Sequence, residues 1–366
     1  MKVKGQAQVF LFTFAAIVLD EVNGLSSTNA EAANLAKGRL QESLSSPSRK
    51  ITISPEIIIP EPSDPTALLL QSTDVTKLSD GMRNKAKANA AFITGSFNSV
   101  KTFCSEQESA RGNFPGPLPV IYCGEKDMEY AELAEAGVAG ILHSVLSGEE
   151  VSSAEEISKD DTLKASFESA IENGIQLIPE IVMNSEVTWD EGMTKSLVDA
   201  IAEQCGSEPV ALVLTVGTEL LDEDEGEKKE DTDNPTNNLP KVPKGTIPII
   251  GSVRAMAGGG RIGASVAACK EAGFNGVMLR CDCLPGYRMN PDLDFVGGFW
   301  GAAIGDLKST KSKNFNFRSK VALEKDVPME WYNYQKDVME SGALGESGSG
   351  PGANPLDTDS GDYQGF

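Results

Sequence analysis

The chain has 366 residues, 40% of them apolar, and a formal charge of −22. That length allows one large barrel or two ordinary domains, and the apolar share supplies a core, which excludes wholesale disorder. The acid excess excludes a nucleic-acid binder, because phosphate backbones are held by basic surfaces.

Lys2 and Lys4 precede an apolar run from Val9 to Leu19. The run is about half the length of a bilayer span, so no stable membrane span is expected. A charged start before a short apolar core marks residues 1–24 as a signal-like segment, with a buried N-terminal helix as the alternative. Residues 25–50, rich in Ser and Ala, read as a transit-like segment or linker. Together the two resemble a bipartite plastid (chloroplast) address, with secretion as the competing reading.

Eight short apolar runs then follow: EIIIP, AAFITGSF, LPVIYCG, GILHSV, IQLIPEIV, PVALVLTVG, IPIIGSV and GVMLRCD. They are mostly continuous rather than alternating, as expected of strands buried on both faces. Amphipathic segments separate them, and Gly137, Gly174 and Gly273 sit where helices hand over to strands, the usual C-cap position. Eight such alternations predict an α/β fold, a (β/α)8 TIM barrel over residues 51–335. An open doubly wound sheet is the alternative, but no G-x-G-x-x-G follows the first strand.

After the sixth strand comes an insertion, Leu221 to Gly245, with eight acids and two lysines before its prolines. Self-repulsion and poor apolar content predict a solvated segment, or else a lid or protein-docking loop. The tail, 336–366, is Gly, Ser, Asp and Pro, and is expected to be disordered or to dock a partner.

Barrel sites lie at the C-terminal ends of the strands. Those ends supply Glu61; Thr94 and Ser96; Cys123, Glu125 and Lys126; His143 and Ser144; Glu180; Thr215, Thr218 and Glu219; Ser252 and Arg254; Arg280 and Asp282. Glu180 ends the apolar run IQLIPE. Walled by apolar neighbours it is a candidate acid or base; paired with Arg280 or Lys126 across the barrel mouth it is structural. After the seventh strand, AMAGGGRIGAS places Gly258, Gly259 and Gly260 between Arg254 and Arg261. Barrels often hold a phosphate there, at the start of a short helix, and glycines let backbone N–H groups approach an anion. With Ser252, Arg254 and Arg280 these residues are the candidates for phosphate and substrate binding; a plain glycine connector is the other reading. Six scattered cysteines and one histidine, His143, give no zinc spacing and no dense disulfide framework. Alternation along the eighth strand would turn Cys281 and Cys283 to one side, for packing. No cofactor or metal is expected.

From about Leu118 to Lys308 the chain resembles the indole-3-glycerol-phosphate synthase family of ribulose-phosphate-binding barrels, as a diverged member. LPVIYCGEKDMEYAELAEAGVAGILHSV looks like that family's third strand, helix and fourth strand. NGIQLIPEIVMNSEV is similar to its fifth, and IPIIGSVRA with KEAGFNGVMLR to its seventh and eighth. The resemblance implies a carbon–carbon lyase of tryptophan biosynthesis, acting on a phosphorylated small molecule. By position Glu180 matches the strand-five glutamate, Ser252 the serine after strand seven and Glu61 the strand-one glutamate. Arg280 and Cys281 stand where the family has glycine-glutamate, and Gly251 replaces the strand-seven glutamate. Cys123 occupies the place of the catalytic lysine of strand three, with Lys126 three residues on. The alternative is a non-catalytic barrel that serves as a plastid binding or assembly protein.

Overall fold

The computed structural model describes residues 33–45, 50–61, 68–124, 128–216, 239–245, 247–254, 262–284, 286–287 and 292–308. Among the described residues eight parallel strands form a ring: β1 (Thr52–Ile58), β2 (Ala91–Thr94), β3 (Val120–Tyr122), β4 (Gly140–Ser144), β5 (Gln176–Met183), β6 (Leu212–Val216), β7 (Ile249–Val253) and β8 (Gly276–Leu279), with a two-residue strand, Glu150–Val151, added beside the end of β5. Each pairs with the next, including β4 with β5 through Ser144 opposite Glu180. The ring closes where β1 lies beside β8, with Thr52 opposite Gly276. A sheet with no free edge is a barrel, so the open-sheet alternative falls. Gly276 is needed at that seam: a Cβ there would run into the Thr52 hydroxyl.

Helices follow seven of the strands: α2 (Leu68–Asn84), α3 (Phe97–Ser109), α4 (Tyr130–Ala136), α5 (Asp161–Glu172), α6 (Glu191–Cys205), α7 (Ile262–Glu271) and α8 (Leu293–Lys308). Their ends are set by local chemistry. Asp190 accepts from the Met193 N–H at the start of α6, and Gly206 ends it at φ 72°, where only glycine is unstrained. Glu129 and Glu132 form a capping box on α4, and Gly137 terminates it at φ 89°.

Alternation along the strands divides inward from outward side chains. Phe92, Ile121, Ile178, Val213, Ile250 and Met278 meet in one buried cluster. Leu40 and Leu44 belong to the same cluster. They come from α1 (residues 33–44), which lies in the stretch read from sequence as a transit-like segment or linker. The helix docks on the N-terminal end of the barrel. Gln176 Nε2 donates to the Ala33 carbonyl at 2.8 Å, and the Thr52 hydroxyl to that of Leu44 at 3.1 Å. Any leader removed from this chain would have to end before α1 to leave that packing intact.

The loop after β4 is strained. Leu146 and Ser147 hold left-handed conformations, φ 52° and 54°, ahead of Gly148 at 84°. Asp160 helps to hold them, accepting from the Leu146 N–H at 2.8 Å while also capping α5. Burial alone would raise the Asp160 carboxyl, but hydrogen bonds from Leu146, Thr162 and Leu163 bring it below its usual value. Left-handed backbone costs a non-glycine residue about 1–2 kcal/mol, and glycine brings back about 0.5–1 kcal/mol of chain entropy. Ser147 is exposed and has no packing to lose. Ser147→Gly is therefore expected to stabilise the protein by about 0.5–1 kcal/mol, read as a higher urea midpoint at unchanged m-value. A lower midpoint would show that the strain argument fails.

The acidic stretch 221–238 and the tail 336–366 lie outside the described residues. The end of the insertion is held: the Val242 N–H donates to the Ala272 carbonyl at 2.9 Å, and the Lys241 N–H to that of Trp189 at 3.1 Å. No helix among the described residues is long and apolar enough to cross a membrane.

Candidate functional site

The middle of the barrel is filled by apolar side chains, with Thr52, Ser54 and Gln176 bonded near its N-terminal end, and at the C-terminal end polar groups from β1, β5, β6 and the end of β8 converge. Along β1, Thr52, Ser54 and Glu56 share one face and all are buried. Glu180 holds the corresponding level on β5, and Thr215 on β6. Arg280, the residue after β8, reaches between the two carboxylates. Its Nε lies 3.2 Å from Glu56 Oε2, and its Nη1 lies 3.1 Å from Glu180 Oε1. The Thr215 hydroxyl donates to the same Glu180 oxygen at 2.8 Å. The Cys281 N–H donates to Glu56 Oε2, also at 2.8 Å.

The side chains of Glu56 and Glu180 are 9% and 7% exposed, and that of Arg280 is 18% exposed. Two carboxylates around one guanidinium leave the cluster one negative charge in excess. Burial alone would lower the basicity of Arg280, but Glu180 and Glu56 outweigh it and hold the guanidinium more firmly charged than usual. Breaking such a cluster is costlier than never having built it, because it strands a charge away from water.

Cys123 follows β3 and faces this cluster. Burial, then the Glu56 charge, push its thiol well above the usual range. Cys281 is pushed up to about 12 by burial, by the Glu56 charge and by a hydrogen bond to Glu56. Both are neutral thiols at physiological pH and poor nucleophiles. Among the described residues, no group of three or more His, Cys, Asp or Glu could hold a metal ion.

Several residues stand elsewhere than the sequence suggested. Glu61 is exposed and lies three residues beyond β1; the carboxylate that β1 brings to the cluster is Glu56. Its signal was present in TISPEII, whose alternation puts Thr52, Ser54 and Glu56 on one side. Arg280, grouped with the substrate-binding residues, has its charge engaged by two carboxylates, as in the structural reading of Glu180. Cys281 to Cys283 form a 3-10 turn rather than the end of a strand, and the Cys283 thiol donates to the Val253 carbonyl at 3.3 Å. Ser96 caps α3 by accepting from the Ser99 N–H. Gly251 faces α7, where a Cβ would stand 2.9 Å from Cys269 Sγ, so a glutamate would not fit there without rearrangement. Lys126, Gly258, Gly259, Gly260 and Arg261 lie outside the described residues.

Ser252 and Arg254 are at the end of β7. Ser252 Oγ and Arg254 Nε are buried and make no hydrogen bond among the described residues.

No family model matches this chain, and no curated protein matches it. Among solved structures it is similar to a Schiff-base-forming fructose-1,6-bisphosphate aldolase, at 14% identity and a TM-score of 0.36, covering 71% of this chain and 97% of that one. It is also similar to N-acetylneuraminate lyase from Mycoplasma synoviae, at 13% identity and TM-score 0.37, covering 82% and 84%. A third is Xanthomonas albilineans dihydropteroate synthase, at 13% identity and TM-score 0.38, covering 63% and 86%. The barrel assignment rests on the closed ring of paired strands.

Proposed function

We propose that this barrel is a carbon–carbon lyase acting on a phosphorylated small molecule, with Glu180 as its acid–base group. The observation that carries the reading is the placement of Glu180 at the C-terminal end of β5, with Thr215 and Arg280 both bonded to its Oε1. A carboxylate oriented through one oxygen can exchange a proton with a ligand through the other. In this reading Ser252 and Arg254, with the glycine-rich segment and Arg261, take the phosphate. Their donors, which have no partner among the described residues, support it, since a buried donor without an acceptor is costly until a ligand supplies one. The sequence resemblance supplies the substrate to try, the carboxyphenylamino-deoxyribulose phosphate of indole ring closure.

The test is incubation of the purified protein with that compound and detection of an indole product. Glu180→Gln is expected to lower kcat/KM by about 10²–10⁴, the usual worth of a positioned acid or base. No indole product from folded wild type would overturn this substrate assignment. A second reading, a barrel that binds without turnover, is favoured by one observation: Arg280 is already engaged by two carboxylates, and a neutral thiol stands at the end of β3. Under it a sugar phosphate binds and is released unchanged.

A further inference from the structure

Lys308 closes α8 and brings its side chain onto the turn between α2 and β2, at the N-terminal end of the barrel. Its Nζ donates to Asn89 Oδ1 at 2.7 Å and to the Lys87 carbonyl. Both acceptors are held by the fold. Asn89 Oδ1 also accepts from the Ile53 N–H of β1 at 3.1 Å, and the Asn89 N–H donates to the Ile53 carbonyl at 2.9 Å. Lys87 is left-handed, φ 52°, between the buried Ala86 and Ala88. Among the described residues no carboxylate pairs with Lys308; the charge that acts on it is that of Lys87, which repels it.

These contacts suit an amine better than an ammonium. An ammonium has three N–H groups, and half-buried it wants a counter-charge. A neutral amine has two, one for each acceptor, and its lone pair then points away from both. Burial, and then the Lys87 charge, bring the ammonium down to about 8, so near that pH much of Lys308 is free amine. An exposed lysine, ordinarily near 10.4, is then only roughly 0.4% neutral. We propose that Lys308 is an acylation site, taking a small acyl group from an acyl phosphate. The amine nitrogen attacks the acyl carbon and an N–C bond forms. The bond from that carbon to the phosphate oxygen breaks, inorganic phosphate leaves, and water takes the proton lost from nitrogen. The amide product keeps one N–H for two acceptors, so acylation unfastens the end of α8 from Lys87 or from Asn89. The inference is independent of the lyase reading, since it needs only the folded protein.

The full chain is incubated with acetyl phosphate, and the rate of acetylation at each lysine is read by peptide mass spectrometry. Lys77 and Lys164, 58% and 62% exposed, are the references. At pH 8 Lys308 holds about a hundredfold more free amine than they do. Partial burial takes back some of that advantage, so Lys308 is expected to be labelled at least about tenfold faster. From pH 7 to 9 its rate should rise about tenfold and theirs about a hundredfold, because Lys308 passes through its midpoint in that window. In urea the advantage should vanish, since the fold creates it. Equal rates at pH 8 in the folded protein would overturn the inference. So would a hundredfold rise at Lys308, or an advantage that survives in urea.

Discussion

Arg280→Met is expected to lower the stability of the barrel by about 3–5 kcal/mol, the usual cost of removing one member of a buried ion cluster. The substitution keeps an apolar stem of similar length, so lost packing is a minor part. What it leaves is Glu56 and Glu180, both nearly sealed from water, with no cation between them. The Thr215 hydroxyl and the Cys281 N–H remain, but neutral donors do not replace a guanidinium. Urea denaturation measures the loss. If the cost comes from stranded charge rather than from missing contacts, removing the carboxylates as well should restore most of it. The triple variant Arg280→Met, Glu56→Gln, Glu180→Gln is therefore expected within about 1–2 kcal/mol of the wild type, as neutral replacements of buried ion clusters usually are. A single variant as stable as the wild type would show that the cluster does little for the fold.

Alkaline pH is expected to unfold the protein steeply, and the thiols are the reason. Cys104 and Cys269 are pushed up to about 12 by burial, and burial drives Cys283 well above the usual range. In the unfolded chain the same thiols ionise near their ordinary value, about 8.5. Above pH 9 the folded state thus binds more protons than the unfolded state, and stability falls as pH rises. These three alone, at 1.36 kcal/mol per pH unit each, give a slope of about 4 kcal/mol per unit, and Cys123, Cys281 and Cys205, also raised by burial, add to it. Lys308 opposes them. Burial, and then the Lys87 charge, bring its ammonium down to about 8, so its share of stability rises with pH between about 8 and 10.5. One partly exposed lysine does not balance three core thiols. Against a total of about 5–15 kcal/mol, the folded state should be lost within roughly one to four units above pH 9. Urea midpoints at pH 8, 9 and 10 check the sign, and Cys269→Ala should flatten the decline by about one proton. A midpoint constant from pH 9 to 10.5 would refute the account.

The eight strands were legible because each is a short, nearly continuous apolar run with a helix pattern or a turn beside it. Glu180 was legible for the same reason, as a lone charge closing such a run. Glu56 was not: it lies inside its strand, and only the Thr52–Ser54–Glu56 alternation distinguishes it from the isoleucines that follow. The helix at 33–44 was hidden by its composition. Its anchors Leu40 and Leu44 are one helical turn apart, but apart from Leu35 the rest is small or polar, and that mixture also describes a leader. The turn at Cys281–Cys283 was not legible: Arg280 keeps extended backbone, and the chain turns after it through a hydrogen bond from the Cys283 N–H to the Arg280 carbonyl, which three residues of sequence do not announce.

The contact between Glu56 and Arg280 joins the first strand of the ring to the residue that leaves the last. The adjoining bond from the Cys281 N–H to Glu56 spans 225 residues of sequence, so this is a highly non-local contact. During synthesis β1 emerges long before its partner exists, and contacts of such high contact order form late. Until Arg280 arrives, two carboxylates on early strands wait without their shared cation. Completing the ion cluster and closing the ring between β1 and β8 therefore belong to the same late step, and a half-made barrel lacks the cluster.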